Sequence, residues 1–149
     1  MTGPQKASAA SYRLVWKGPS GTVRLSESAY AAYDQVIQGT DEISMKRKAH
    51  LERYFREFCE NVHFYQRLSD EKFKKEQNFP DGKGGKVAIW AFKSWQWRLY
   101  GTIMHVAASR CFVGTAVDAA KKRNKADRKL MKAAADELAA LAEYKPEPA

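Results

Sequence analysis

Residues 87–117 constrain the fold more than any other part of this 149-residue chain. Val87-Ala88-Ile89-Trp90-Ala91-Phe92 is a compact apolar run, and Lys93-Ser94-Trp95 reads as a turn. Residues 96–104 then alternate: Trp97, Leu99 and Ile103 point one way, and Gln96, Arg98, Tyr100 and Thr102 the other. After Ala107-Ala108-Ser109-Arg110 comes a third run, Cys111-Phe112-Val113-Gly114-Thr115-Ala116-Val117. Three strands with joins this short form an antiparallel meander, because a parallel crossover needs a dozen or more residues.

The rest of the chain must cover that sheet. Tyr12–Trp16 and Thr22–Leu25 flank Lys17-Gly18-Pro19-Ser20-Gly21, which predicts an N-terminal β-hairpin. Ser26 can cap a helix whose stripe is Tyr30, Tyr33, Val36 and Ile37, stopped by Gly39. Thr40-Asp41-Glu42 opens a second helix with a cap and two carboxylates at the positive end of its dipole. Its stripe (Ile43, Leu51, Tyr54, Phe55, Phe58, Val62, Tyr65) predicts a helix over about 41–67, paired antiparallel with the first. Residues 69–86 are charged, then rich in glycine, and read as an exposed loop. Asn124 and Asp127 resemble a cap pair for an alanine-rich helix with Leu130, Ala134, Leu138 and Leu141 on one face, ending near Tyr144. The expected plan is α+β: a helix pair on a small antiparallel β-meander, with an N-terminal hairpin and a C-terminal helix. Residues 11–144 form its single domain, between disordered tails at 1–10 and 145–149.

The net charge is +9, unevenly spread. Residues 1–71 carry net +1, 72–132 net +11 and 133–149 net −3. A basic block of that kind points to a polyanion, above all nucleic acid, although lysines also serve solubility. No segment approaches the roughly 20 apolar residues of a membrane helix, and the polar N-terminus lacks a signal-peptide centre. Cys59 and Cys111 read as two buried free thiols in a reducing compartment, so a cytoplasmic protein is expected.

Much chemistry is missing. There is no Walker-type phosphate loop, no G-x-S-x-G elbow and no C-x-x-C. Cys59 and His63 lie four apart with His50 further back, too few ligands for structural zinc, so neither a metal nor another cofactor is expected. Carboxylates are sparse in the basic block, which offers only Glu76, Asp81, Asp118 and Asp127. What it does offer is Lys93, Arg98, Tyr100, Arg110, Lys121 and Lys122, on or beside adjacent strands. Arg98 and Tyr100 share one strand face. If that face is open, it presents a guanidinium, a phenol and several ammoniums to phosphates and bases. RNA carries its own nucleophile, the 2′-OH. Its cleavage needs a proton acceptor, a proton donor and a cation for the phosphorane charge. Lys, Arg and Tyr can fill those roles without a metal. Trp95, Trp97 and Tyr100 can equally serve as core against the helix pair, and Lys121-Lys122-Arg123 as a solvated turn.

The helix pair, the Trp97-Arg98-Leu99-Tyr100 strand, the Cys111-Phe112-Val113-Gly114 strand and the Lys121-Lys122 turn resemble the RelE/ParE/HigB toxin superfamily. The phage-derived HigB-like branch is the nearest in pattern, and the likeness spans about residues 40–132. That order is a lone strand, two helices and an antiparallel meander. The resemblance implies an mRNA interferase, usually ribosome-dependent, neutralised by a helix-turn-helix antitoxin. It maps basic strand residues to Lys93, Arg98 and Arg110, with Lys121 and Lys122 ending the last strand. The expected catalytic set is therefore Lys93, Arg98, Tyr100, Arg110 and Lys122. Lys83, Lys86, Lys121, Arg123 and Lys125 are the expected nucleic-acid contacts. Two alternatives use the same residues: a non-catalytic nucleic-acid-binding module, and an interaction or inhibitor protein that docks a partner on its aromatic face.

Overall fold

The structure is a computed structural model that describes residues 7–63, 68–119 and 127–146. Strands β1 (Arg13–Gly18) and β2 (Gly21–Leu25) form the predicted hairpin, followed by α1 (Glu27–Gln38) and α2 (Glu42–Glu60). Then come β3 (Phe73–Pro80), β4 (Lys86–Ser94), β5 (Trp97–Val106), β6 (Ser109–Asp118) and α3 (Arg128–Ala139). Among the described residues the fold is α+β, with three α-helices and one six-stranded sheet in the order β1-β2-β6-β5-β4-β3.

Local chemistry sets the helix ends. Ser26 accepts from the Ala29 N–H at 3.3 Å and Asp41 from the Ser44 N–H at 3.1 Å, as their cap positions predict. Asp127 caps α3, accepting from the Leu130 N–H at 3.1 Å, and Asn124 lies outside the described residues. Helix α2 stops at Glu60 rather than near residue 67. The Asn61 N–H closes on the Glu57 carbonyl, and the Arg110 guanidinium takes the carbonyls of Phe58 and Asn61. Helix α3 ends at Ala139 rather than near Tyr144, and its terminal carbonyl accepts from the Lys83 ammonium at 2.8 Å.

Three expectations change. First, the sheet is mixed. β2 runs parallel to β6, Thr22 opposite Cys111 and Leu25 opposite Gly114, with α1 and α2 in the long connection that such pairing requires. The hairpin thus belongs to the same sheet as the meander. Second, part of the charged segment 69–86 is strand β3, antiparallel to β4. A bulge between Lys75 and Gln77 breaks its alternation, so Phe73 and Phe79 enter opposite cores. The lysines that make it look like a loop sit on an edge strand, where charge discourages pairing with other chains. Third, residues 7–10 are docked, not loose. Ala9 is buried, its N–H and the Ser8 hydroxyl donate to Glu143, and Arg24 donates to the carbonyls of Ala10 and Tyr12.

The sheet is covered on both faces. Under α1 and α2 lie Val23, Leu25, Phe73, Phe92, Leu99 and Phe112. Under α3 lie Phe79, Ile89, Tyr100, Met104 and Val113. β5 divides its side chains as the alternation predicts: Trp97, Leu99 and Ile103 face the helix pair, and Tyr100 and Met104 face α3. A bulge follows Tyr100, where β5 and β6 approach so closely that a Cβ on Gly101 would stand 2.2 Å from the Val113 carbonyl. Cys59 and Cys111 are buried free thiols, and burial pushes the Cys59 thiol up to about 12. Among the described residues no helix is long and apolar enough to cross a membrane.

Candidate functional site

The pairing of β4 with β5 sets Lys93 directly opposite Arg98. Directly opposite residues of an antiparallel pair share a face, so both side chains stand on the α3 side. There they meet Glu76, which the β3 bulge turns toward them. Glu76 Oε1 lies 3.2 Å from Lys93 Nζ and 3.0 Å from Arg98 Nη1. All three side chains are only 10–12% exposed. On the far side of Arg98, β6 places Asp118 as its cross-strand partner. Two residues along β5, the Tyr100 ring is wholly buried, and its hydroxyl accepts from the Asp127 N–H at 3.2 Å. Burial raises the Tyr100 phenol above its ordinary value, so it is a neutral group at pH 7.

The site is therefore a corner of the sheet where two cations share one carboxylate oxygen, with Asp118 across the strand from Arg98. Charge-assisted bonds at these distances are strong and directional. The arrangement holds a proton-accepting carboxylate, a proton-donating ammonium and a guanidinium within one side-chain length. Among the described residues no three His, Cys, Asp or Glu side chains form a metal-binding group.

The predicted residues divide clearly. Lys93, Arg98 and Tyr100 come together, but the face they share is not open: α3 covers Tyr100, and Arg98 is buried. The alanine-rich face of α3 allows that close approach. Arg110 is elsewhere. It pairs with His105 near the opposite end of β5, and its guanidinium lies 4.2 Å from the centre of the Phe58 ring. Its Nε donates to the Ser20 carbonyl at 3.2 Å, while Nη2 closes the C-terminus of α2. Burial lowers its pKa, and its place is structural. Lys83 holds the end of α3, and Lys86 is exposed at the start of β4, both at the β3–β4 turn away from the corner. Lys121, Lys122, Arg123 and Lys125 lie outside the described residues. Asp118 and Asp127, which bracket that segment in sequence, are both at the corner, opposite Arg98 and against Tyr100.

Glu76 is the residue that sequence reasoning missed. It falls in the segment read as a loop. Its signal was scarcity: four carboxylates stand among fifteen basic residues in 72–132, and two of the four, Glu76 and Asp118, are placed beside Arg98.

No protein-family model, no curated protein and no solved structure matches the chain.

Proposed function

We propose that this protein is an endoribonuclease of the RelE/HigB-like kind, the toxin of a toxin–antitoxin pair, acting on mRNA at the Glu76–Lys93–Arg98 corner. The observation that carries this reading is that one carboxylate and two cations converge on one sheet face. Glu76 takes the proton of a ribose 2′-OH. The 2′-oxygen attacks the adjacent phosphorus, and the bond from phosphorus to the 5′-oxygen breaks. The Lys93 ammonium protonates that oxygen, and Arg98 offsets the charge of the phosphorane. The products are a 2′,3′-cyclic phosphate and a 5′-hydroxyl. The nucleophile is internal to the substrate, so no cofactor takes part. RNA on the ribosome and a helix-turn-helix antitoxin are the partners this reading brings with it.

One observation favours a second reading. Tyr100 is wholly enclosed and Arg98 nearly so, leaving the exposed lysines as phosphate contacts of a non-catalytic RNA-binding module. Induced expression in bacteria separates the two. The nuclease arrests growth and leaves mRNA fragments with cyclic-phosphate ends, and Glu76→Gln and Lys93→Met abolish both effects. Intact mRNA with the soluble, folded parent would sink the nuclease and leave the module.

A further inference from the structure

The tip of the β4–β5 hairpin carries a feature that neither the core nor the Glu76 corner uses. Trp95 sits at φ 54°, in the left-handed region that side chains larger than Asn seldom occupy. It is also 55% exposed, although an indole is the largest apolar surface a side chain can bury. The turn would accept glycine without strain, and more than half of the indole is left open to a ligand.

Its surroundings are ordered. The His50 ring stands edge-on to the indole at 4.9 Å and stacks on Tyr54 at 6.0 Å, and its Nδ1 hydrogen-bonds the Ser94 hydroxyl at 3.0 Å. The Arg47 guanidinium lies 5.8 Å from the indole centre. Arg53 lies three residues from His50 on α2, and the Lys72 carbonyl accepts from the Lys93 N–H beside the turn. Burial first, and then the charges of Arg47, Arg53, Lys72 and Lys46, lower the pKa of His50, and Asp41 acts on Arg47 in the opposite sense. Lys46 is matched by Glu42 at 2.9 Å. Among the described residues no carboxylate lies within ion-pair distance of Arg47, Arg53 or Lys72. One large π-face, one edge-on ring and three cations without an ion pair are the parts of a site for an unpaired base and its flanking phosphates. A duplex offers no free base face to Trp95. An apolar protein partner would leave the cations desolvated without counter-charge.

We propose that this tip is a stacking subsite for single-stranded RNA, with a base on Trp95 and neighbouring phosphates on Arg47, Arg53 and Lys72. Ser94 and Trp97 turn toward α2 at this tip, whereas Lys93 and Arg98 turn toward the Glu76 corner. A strand held on Trp95 passes round the turn to that corner. This last step rests on the nuclease reading; the subsite itself does not.

The test is fluorescence anisotropy of the full chain with a labelled single-stranded 2′-O-methyl RNA oligonucleotide, which binds but cannot be cut. Trp95→Gly, which suits the turn's backbone, should keep the parent's melting temperature and weaken binding at least about fivefold. Trp95→Phe should stay within about threefold of the parent, and Arg53→Gln should reduce the salt dependence. Equal affinity of the parent and Trp95→Gly would overturn the subsite whatever mRNA does in cells. Equal affinity of the parent for duplex and single strand would overturn it too, as would no RNA affinity at all, the result expected of a protein-docking tip. Trp95-dependent binding beside intact cellular mRNA would support the subsite and remove the nuclease.

Discussion

The two faces of the sheet are built by different means. On the α1/α2 face, Phe92 touches four other phenylalanines, with ring centres 4.3 Å from Phe73, 4.7 Å from Phe112, 5.1 Å from Phe55 and 6.1 Å from Phe58. Most of these contacts are edge-on, the geometry aromatic rings prefer. On the α3 face, one helix lays Ala134, Ala135 and Leu138 against aliphatic strand residues and Tyr100. Interlocked rings can seal a surface completely. Small side chains let a helix lie close but cover less, so a charged corner survives at its margin. The face with the smaller helix side chains is the one that holds the Glu76–Lys93–Arg98 cluster.

The largest test of that contrast is Phe92→Ala, expected to cost about 3–5 kcal/mol because four rings lose their common neighbour. Leu138→Ala should fall near 2 kcal/mol, the low end for such truncations, because the helix can settle into the gap. Denaturant midpoints would report both, and equal losses would break the comparison. Next is Glu76→Ala, which leaves Lys93 and Arg98 facing each other at about 11–12% exposure. Its expected cost is about 3 kcal/mol, whereas Lys93→Met, which leaves Glu76 paired with Arg98, should cost about 1 kcal/mol or less. If the two cost the same, the corner is not organised by its carboxylate. Asp127→Ala should cost about 1 kcal/mol through the lost cap, read as a lowered melting temperature.

The smallest effect concerns pH. The pKa of His50 is lowered in the folded chain by burial and by Arg47, Arg53, Lys72 and Lys46. The unfolded chain therefore binds the proton first, and stability falls as pH drops through about 6.5, the ordinary histidine value. Replacing His50 with Gln should flatten that part of the stability–pH curve. An unchanged slope would mean that His50 is solvated like a free imidazole.

The legible parts of this molecule were those governed by local pattern. The alternation of Trp97–Met104 showed which side chains share a face, and Ser26, Gly39 and Asp41 marked helix boundaries that the structure reproduces within a residue. Long-range placement was not legible. That Arg98 and Tyr100 share a face follows from a period of two; that α3 then covers the face depends on a helix some 30 residues further on. The β3 bulge hid both a strand and the carboxylate at the centre of the site, because one extra residue removes the alternation that strands are recognised by. Arg110 looked like a phosphate ligand, since an arginine on a basic strand and an arginine capping a helix have the same sequence signature.

The parallel pairing of β2 with β6 also has a consequence in time. Ser26 and Thr115, joined by a hydroxyl-to-carbonyl bond, are 89 residues apart in the chain. The hairpin and both helices leave the ribosome before the strand that completes their sheet exists. Until β6 arrives, the inner edge of β2 has no strand to pair with, and Phe58 lacks its Phe112 neighbour. Closure of so long a loop is slow, and the exposed edge and rings are sites for self-association meanwhile. Chains stalled before residue 109 should be sensitive to protease along their whole length and dependent on chaperones, and protection should appear as one late event.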